Sequence, residues 1–299
     1  MGFLRAQTLQ QREARLAYAL IVPTFAIVAG LIIFPAFFSI WISFHDIGLD
    51  NLNDVFRAPF VGLENYWRVV NDYAFPEALV TSIVYSFGGT LASVSVGLMA
   101  ALLLNQRFHG RGLVRAIFLF SYVAPVISAA FIWRWVFDPT VRGVANWTLM
   151  NLGVLSEPLA WFGKTGLALA MVIVFEAWRY FPFAMLMILA RLQAIDATLY
   201  EAAVVDGANL WNKFRHITLP ELRYVLGTLF LLRLMWTFNK FDDIFLLTSG
   251  GFGTKVLPIL TYEFSFKLFD FGRGAATAMV LFITLIAFMF VYVRKVLEW

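Results

Sequence analysis

Apolar runs of transmembrane length alternate with short polar stretches along the whole chain. Six runs reach or exceed the ~20 residues that cross a bilayer, at about 16–44, 77–104, 116–137, 166–190, 222–248 and 274–293. In lipid every backbone amide must find its partner inside the chain, so the runs are expected as helices. The expected fold class is all-α: a polytopic membrane protein with six transmembrane helices. They form a single membrane domain at 16–295, between an N-terminal segment 1–15 and a tail 296–299. Pro23 or Pro35 is expected to kink the first helix and Pro125 to interrupt the third. Arg5, Arg12 and Arg15 ahead of the first run imitate a signal peptide. That run is too long for one and has no small-residue cleavage site, so it is read as a retained helix.

The polar stretches carry signals of their own. Gly62-Leu63-Glu64-Asn65-Tyr66-Trp67 has the Tyr and Trp of a short interfacial helix. Along the second run Gly89, Ser93, Gly97 and Ala101 recur every four residues, a ladder of small side chains that lets a neighbouring helix approach closely. Gly163-Lys164-Thr165 ends like a phosphate-binding loop, but Pro158 stands where the earlier glycine belongs and no strand precedes it. Asn146-Trp147-Thr148 fits a glycosylation sequon that nothing else in the chain supports.

Composition narrows the class further. A chain 61% hydrophobic and 14% charged is not an ordinary soluble domain. Without cysteine it has no disulfide framework and no thiolate metal site, and His45, His109 and His216 fall in separate loops, so no metal site is expected. The net charge of +4 is explained by sidedness. Arg5, Arg12, Arg15, Arg107, Arg111, Arg115, Arg191, Lys213, Arg215, Arg223, Arg294 and Lys295 fall on one side of the six-run topology. Asp46, Asp50, Asp54, Glu64, Asp72, Glu77, Asp138, Glu157, Glu263 and Asp270 fall on the other. The positive-inside rule makes both termini cytoplasmic, together with the stretch 191–221.

Charges inside the runs are the candidate chemistry, because each costs roughly 3 kcal/mol near the bilayer centre and so requires a partner or a wet cavity. Glu176 and Arg179 lie one turn apart in the fourth run, beside Trp178, Tyr180 and Phe183. Arg233, Thr237, Lys240 and Asp243 form a polar stripe in the fifth, with Trp236, Asn239 and Asp242 at its margins. One reading makes Glu176–Arg179 and Lys240–Asp243 structural ion pairs. The other makes the stripe and its aromatics a sugar pathway, since hydroxyls need polar side chains and a sugar ring stacks on Trp or Tyr. Arg179, Arg233 and Lys240 are balanced by Glu176, Asp242 and Asp243, so only geometry decides whether a cation is left over for an acidic substrate.

The polar stretch 191–221 holds two short helical patterns. Ala197 to Asp206 has neither Pro nor Gly, with Asp196 placed as its N-cap, and Gly207 ends it. Leu210 to Ile217 gathers Leu210, Trp211, Phe214 and Ile217 on one side, and Pro220 closes the unit. A Trp and a Phe on such a loop require cover, from the chain itself, the lipid interface or a partner.

These residues carry a resemblance. Glu201-Ala202-Ala203, Asp206-Gly207-Ala208, Phe214, Ile217 and Leu219-Pro220 resemble the EAA signature of membrane subunits of ATP-binding-cassette importers, in the version found in carbohydrate permeases of the maltose and glycerol-phosphate type. Leu247-Thr248-Ser249-Gly250-Gly251 also resembles that family, which continues with Pro where this chain has Phe252. Ile195-Asp196 replaces the family's usual Ile-Pro. The resemblance implies a permease subunit that moves a sugar or sugar derivative into the cytoplasm of a bacterium or archaeon and is not itself an enzyme. It implies that Glu201 to Pro220 is the coupling loop seated on a cytoplasmic ATPase dimer. ATP and Mg would be bound there, with no cofactor in this chain. The other implied partners are a second homologous permease and an extracytoplasmic solute-binding protein, with no nucleic acid. It further implies that Trp178, Arg179, Phe183, Trp236, Asn239 and Lys240 line the substrate pathway, with Asp243 on the same stripe. The rival classes are a self-sufficient ion-coupled transporter using Glu176, Asp242 and Asp243, which the EAA loop argues against, and an intramembrane enzyme, for which no constellation is present.

Overall fold

The computed structural model describes the backbone of residues 9–297 and the side chains of residues 13 and 15–295. The expected tail 296–299, and Arg5 and Arg12 of the expected N-terminal segment, lie outside the described side chains. Among the described residues the chain is helical, with no strand beyond an isolated bridge between His45 and Phe60. The helices are α1 (Leu9–Val28), α2 (Phe34–Ser43), α3 (Glu64–Val70), α4 (Phe75–Asn105), α5 (Arg111–Val123), α6 (Val126–Val136), α7 (Val144–Asn151) and α8 (Leu167–Gln193). Then come α9 (Ala197–Val205), α10 (Leu210–Lys213), α11 (Leu219–Phe238), α12 (Asp242–Thr248), α13 (Leu257–Tyr262) and α14 (Phe271–Tyr292). The interfacial helix expected around Tyr66 and Trp67 is α3.

Four stretches are long and apolar enough to cross a membrane: Arg15–Ser43, Phe75–Asn105, Leu167–Gln193 and Phe271–Lys295. The pair α5 and α6 makes a fifth if its two halves are one broken span, bent by 99° at Ala124-Pro125. The expected run 222–248 differs. It is cut at Asn239–Phe241 into α11 and α12, and its charges make it less apolar than the others. Its polar residues make it a poor lipid-facing helix.

Two of the prolines reshape their helices in one way. Proline cannot donate to the carbonyl four residues back, and in both places the turn before it widens to a π segment. Phe34 N–H reaches Ala29 O ahead of Pro35, and Leu219 N–H reaches Phe214 O ahead of Pro220. Pro220 therefore opens α11 and does not close the preceding unit, so helical backbone runs from Leu210 through Phe214–Thr218 to Phe238.

The centre of the fold is α4 against α8, with α11 beside them. Gly89, Ser93, Gly97 and Ala101 are all buried there. A Cβ on Gly97 would stand 2.5 Å from Ala184 Cβ and 2.9 Å from Met185 N, so the two backbones approach as closely as a glycine allows. Ala184, Met185 and Ile188 fill the space around the ladder. By contrast α1 is exposed along almost all of its described length, while α2, which follows it, packs on α14 and buries Ser43.

Candidate substrate pathway and coupling loop

Glu176 of α8 is fully buried where α4, α8 and α11 meet. Arg233 Nη2 donates to its Oε1, the Thr237 hydroxyl donates to the same oxygen at 2.9 Å, and the Tyr85 hydroxyl donates to Oε2 at 3.2 Å. Gly89 makes room, since a Cβ there would lie 2.8 Å from Glu176 Cγ. The local pair Glu176–Arg179 is not formed. Arg233, on another helix and 1% exposed, takes the carboxylate instead. A guanidinium that is itself desolvated needs that partner more than one with an alternative acceptor.

The second expected pair is present in looser form. Lys240 Nζ lies 3.6 Å from Asp243 and 3.5 Å from Asp242, and it hydrogen-bonds the Tyr180 hydroxyl. Tyr180 stands among three cations: Arg233 and Lys240 each 4.4 Å from the ring centroid, and Arg179 at 5.5 Å. Asp243 is fully buried. Arg179 turns away from the acids, giving Nη2 to Ala124 O at 2.8 Å and Nε to the Tyr180 hydroxyl at 3.3 Å.

Aromatic rings flank this cluster. Phe183 meets Trp236 at 5.3 Å and Tyr122 of α5 at 6.2 Å. Trp178 belongs to a different group, 5.4 Å from Trp133 and 6.0 Å from Phe175. Asn239 is exposed and also stands apart: its amide bonds Met235 O at 2.8 Å, and it lines a hollow of about 420 Å³ with Ile40, Pro258 and Phe282. The structure thus brings Arg179, Phe183, Trp236, Lys240 and Asp243 to one region through Tyr180, and leaves Trp178 and Asn239 outside it. Tyr85 and Tyr122 complete the region without having been candidates. Tyr85 carried a signal, standing one step ahead of Gly89 on the same four-residue ladder.

The loop between α8 and α11 is built by two caps. Asp196 accepts from Thr198 N at 2.9 Å, and this bond holds its carboxyl below the usual carboxylate range. At the far end Ala208 N reaches Ala203 O and Gly207 N reaches Val204 O, a Schellman pair that needs the left-handed φ of +74° at Gly207. Asn209 then caps α10 by accepting from Asn212 N at 2.8 Å. Tyr200 hydroxyl pairs with Thr218 Oγ1 at 2.9 Å, and Arg191 with Glu221 at 2.5 Å, tying both halves to the bundle. The outer surface of this loop is apolar: Val205 is 87% exposed, Leu210 84% and Trp211 64%.

Beyond α12, Ser249 and Phe252 take positive φ, 53° and 55°. Proline is fixed near −65°, so the turn made by Phe252 is closed to the proline of the family's pattern. Asn146 is fully buried, with its amide bonded to Asp138 O, Thr140 O and Leu159 O and its oxygen accepting from Leu159 N and Trp161 Nε1. It holds its loop together from inside and is out of reach of a glycan.

Residues 93–298 match the family described as binding-protein-dependent transport system inner membrane component. The chain belongs to that family. Among its relatives is the trehalose/maltose transport system permease protein MalF of Thermococcus litoralis, 36% identical over 288 residues that cover 96% of this chain and 95% of that protein. The inner membrane ABC transporter permease protein YcjO of Escherichia coli is 36% identical over 282 residues, covering 94% of each. The fold is shared with a bacterial ABC transporter involved in the import of the acidic polysaccharide alginate, at a TM-score of 0.82 and 19% identity over 95% of both chains. As a member of this permease family the chain is a membrane component of an importer, and ATP hydrolysis belongs to another subunit.

Proposed function

We propose that this permease subunit carries a sugar or sugar derivative into the cytoplasm, driven by ATP hydrolysis in a partner ATPase dimer that holds ATP and Mg. Its full-length relative of 36% identity is named for trehalose and maltose. The observation that carries the mechanism is the apolar surface of Val205, Leu210 and Trp211, held by the caps at Asp196, Gly207 and Asn209. Such a surface in water requires a partner, and in this reading the ATPase is that partner. Glu201, Ala202, Ala203, Asp206, Gly207, Ala208, Phe214, Ile217, Leu219 and Pro220 are the coupling residues in this reading. Because helix runs unbroken from Leu210 to Phe238, a push on the loop reaches Arg233 and Trp236 along one element, and Lys240 stands in the break just beyond its end.

Six crossings place both termini in the cytoplasm, with α5–α6 and α11–α12 each counted as one broken span. The exposed helix α1 supports a second, homologous permease as its neighbour. The solute-binding protein meets the outer surface at 45–76, where Phe56 and Phe60 are 78% and 71% exposed. Substrate passes Arg179, Phe183, Trp236, Lys240 and Asp243, with Trp178 and Asn239 at the margins.

The test is Gly207→Trp in the reconstituted importer. A residue with a Cβ at φ +74° is strained by roughly 1–2 kcal/mol, while the space around Gly207 is open, so the bundle itself stays intact. The expected result is ATP hydrolysis without uptake. Wild-type uptake by an importer that still holds its ATPase would contradict the coupling role.

A further inference from the structure

Three acids and three bases share this cluster, and pairing by distance gives Lys240 two acids and Arg179 none. Glu176 goes to Arg233, and Lys240 lies between Asp242 and Asp243. Among the described residues Arg179 has no carboxylate oxygen within 4.0 Å. It is 7% exposed, and its Nη1 has no hydrogen-bond partner. An uncompensated guanidinium in so dry a place is expensive unless something of opposite charge visits it.

Its position says where the visitor sits. Nη2 of Arg179 is bonded to Ala124 O, the residue immediately before Pro125, which is the N-cap of α6. That helix is eleven residues long and its N-terminus has no side-chain cap. The first-turn amides carry the positive end of the helix dipole, and the 99° bend at the break turns them away from the axis of α5. A buried cation with a free N–H donor and the open amide end of a broken helix thus meet at one point, the arrangement that holds anionic groups at the broken helices of transporters. Pro125, Ile127 and Ser128 are exposed on the surface of the chain, so the point is reachable. A neutral sugar can accept from these donors, but only an anion offsets the charge that they carry.

We propose that the substrate carries an anionic group, a carboxylate, sulfonate or phosphate ester, held by Arg179 and the first turn of α6. Its sugar ring lies against Tyr122, Phe183 and Trp236, which form a continuous aromatic wall beside the cluster. This rests on the reading of the chain as a sugar permease. The planar guanidinium keeps Nη2 on the Ala124 carbonyl and offers Nη1 to an oxygen of the anion, which Lys cannot reproduce.

The experiment measures uptake of glucose, glucuronate, 6-deoxy-6-sulfoglucose and glucose 6-phosphate by the complete importer with its binding protein in proteoliposomes. Wild type is compared with Arg179→Gln, Arg179→Lys and Ser128→Asp. Asp at the third position of α6 suits the helix dipole and supplies an anion from within, and its membrane level is measured beside uptake because a carboxylate in an apolar run carries a cost of its own. The expected result is uptake of at least one acidic sugar, reduced tenfold or more by Arg179→Gln and by Ser128→Asp and partly restored by Arg179→Lys. Uptake of glucose alone, equal in wild type and Arg179→Gln and not inhibited by the acidic sugars, overturns this inference while leaving the permease reading intact. No ATP-dependent uptake of any of the four by wild type overturns this inference, and the permease reading falls with it only if trehalose and maltose are refused as well. If Arg179→Gln fails to assemble, Ser128→Asp decides: acidic uptake at the wild-type rate overturns the proposal.

Discussion

At the scale of single residues the buried carboxylate of Glu176 is the most exacting position in the chain, because three hydroxyl or guanidinium donors from three helix positions converge on it. Glu176→Gln leaves Arg233 buried beside a neutral amide, and removal of one partner from a buried pair costs about 3–5 kcal/mol. The expected outcome is a clear drop in thermal unfolding temperature of the purified permease. The double variant Glu176→Gln, Arg233→Met regains most of it, since no charge is left unpaired. A double variant as unstable as the single one would mean that the pair contributes more than mutual neutralisation. The sequence marks these residues as out of place, because a charge in an apolar run is conspicuous. It does not say who pairs with whom: Glu176 and Arg233 are 57 positions apart, and Arg179, the local alternative, finds a carbonyl made available by a break in yet another helix.

At the scale of elements, the small-residue ladder makes the sharpest forecast. Gly97→Val drives two extra methyl groups into Ala184 and the backbone at Met185, so α4 and α8 cannot close and the subunit should fail to accumulate in the membrane. Gly112→Ala in α5 meets nothing within 4 Å and is expected to be neutral or to gain up to about 1 kcal/mol. Comparable membrane levels of the two variants would count against the packing. Asp196 gives a pH dependence. Its carboxyl, bonded to Thr198 N, titrates below its ordinary range, so its support of α9 is present above the unfolded value and is lost as pH falls through the folded one. Protection factors in 197–205, corrected for the intrinsic pH dependence of amide exchange, should therefore fall on acidification, and Asp196→Asn, which still caps, should remove that fall. Exchange in both proteins with the same pH profile would argue otherwise. Helix positions and this cap were legible because they rest on local spacing. The π turns before Pro35 and Pro220 were not, since a proline reads as a stop while the chain has the option of widening one turn and continuing.

At the scale of the whole molecule, the alternation of apolar and polar stretches was enough to specify an all-α membrane protein, and the EAA residues were enough to point to its family. What lay beyond the sequence was the uneven cover of its helices: α8 is enclosed by its neighbours while α1 is exposed. Such bare surface is specified by other subunits, whose sequences this chain does not contain. The central claim is that Glu201 to Pro220 is where the permease meets its ATPase. The chain has no cysteine, so a thiol-reactive photo-crosslinker can be attached at one chosen site. Val205→Cys places it on the exposed face of the coupling loop, and Val141→Cys, 54% exposed on the opposite side of the membrane in this topology, is the control. In the complete complex, irradiation is predicted to join the permease to the ATPase from position 205 and not from position 141. No adduct from 205, with its thiol as reactive to water-soluble maleimide in the complex as in the isolated subunit, would contradict the account.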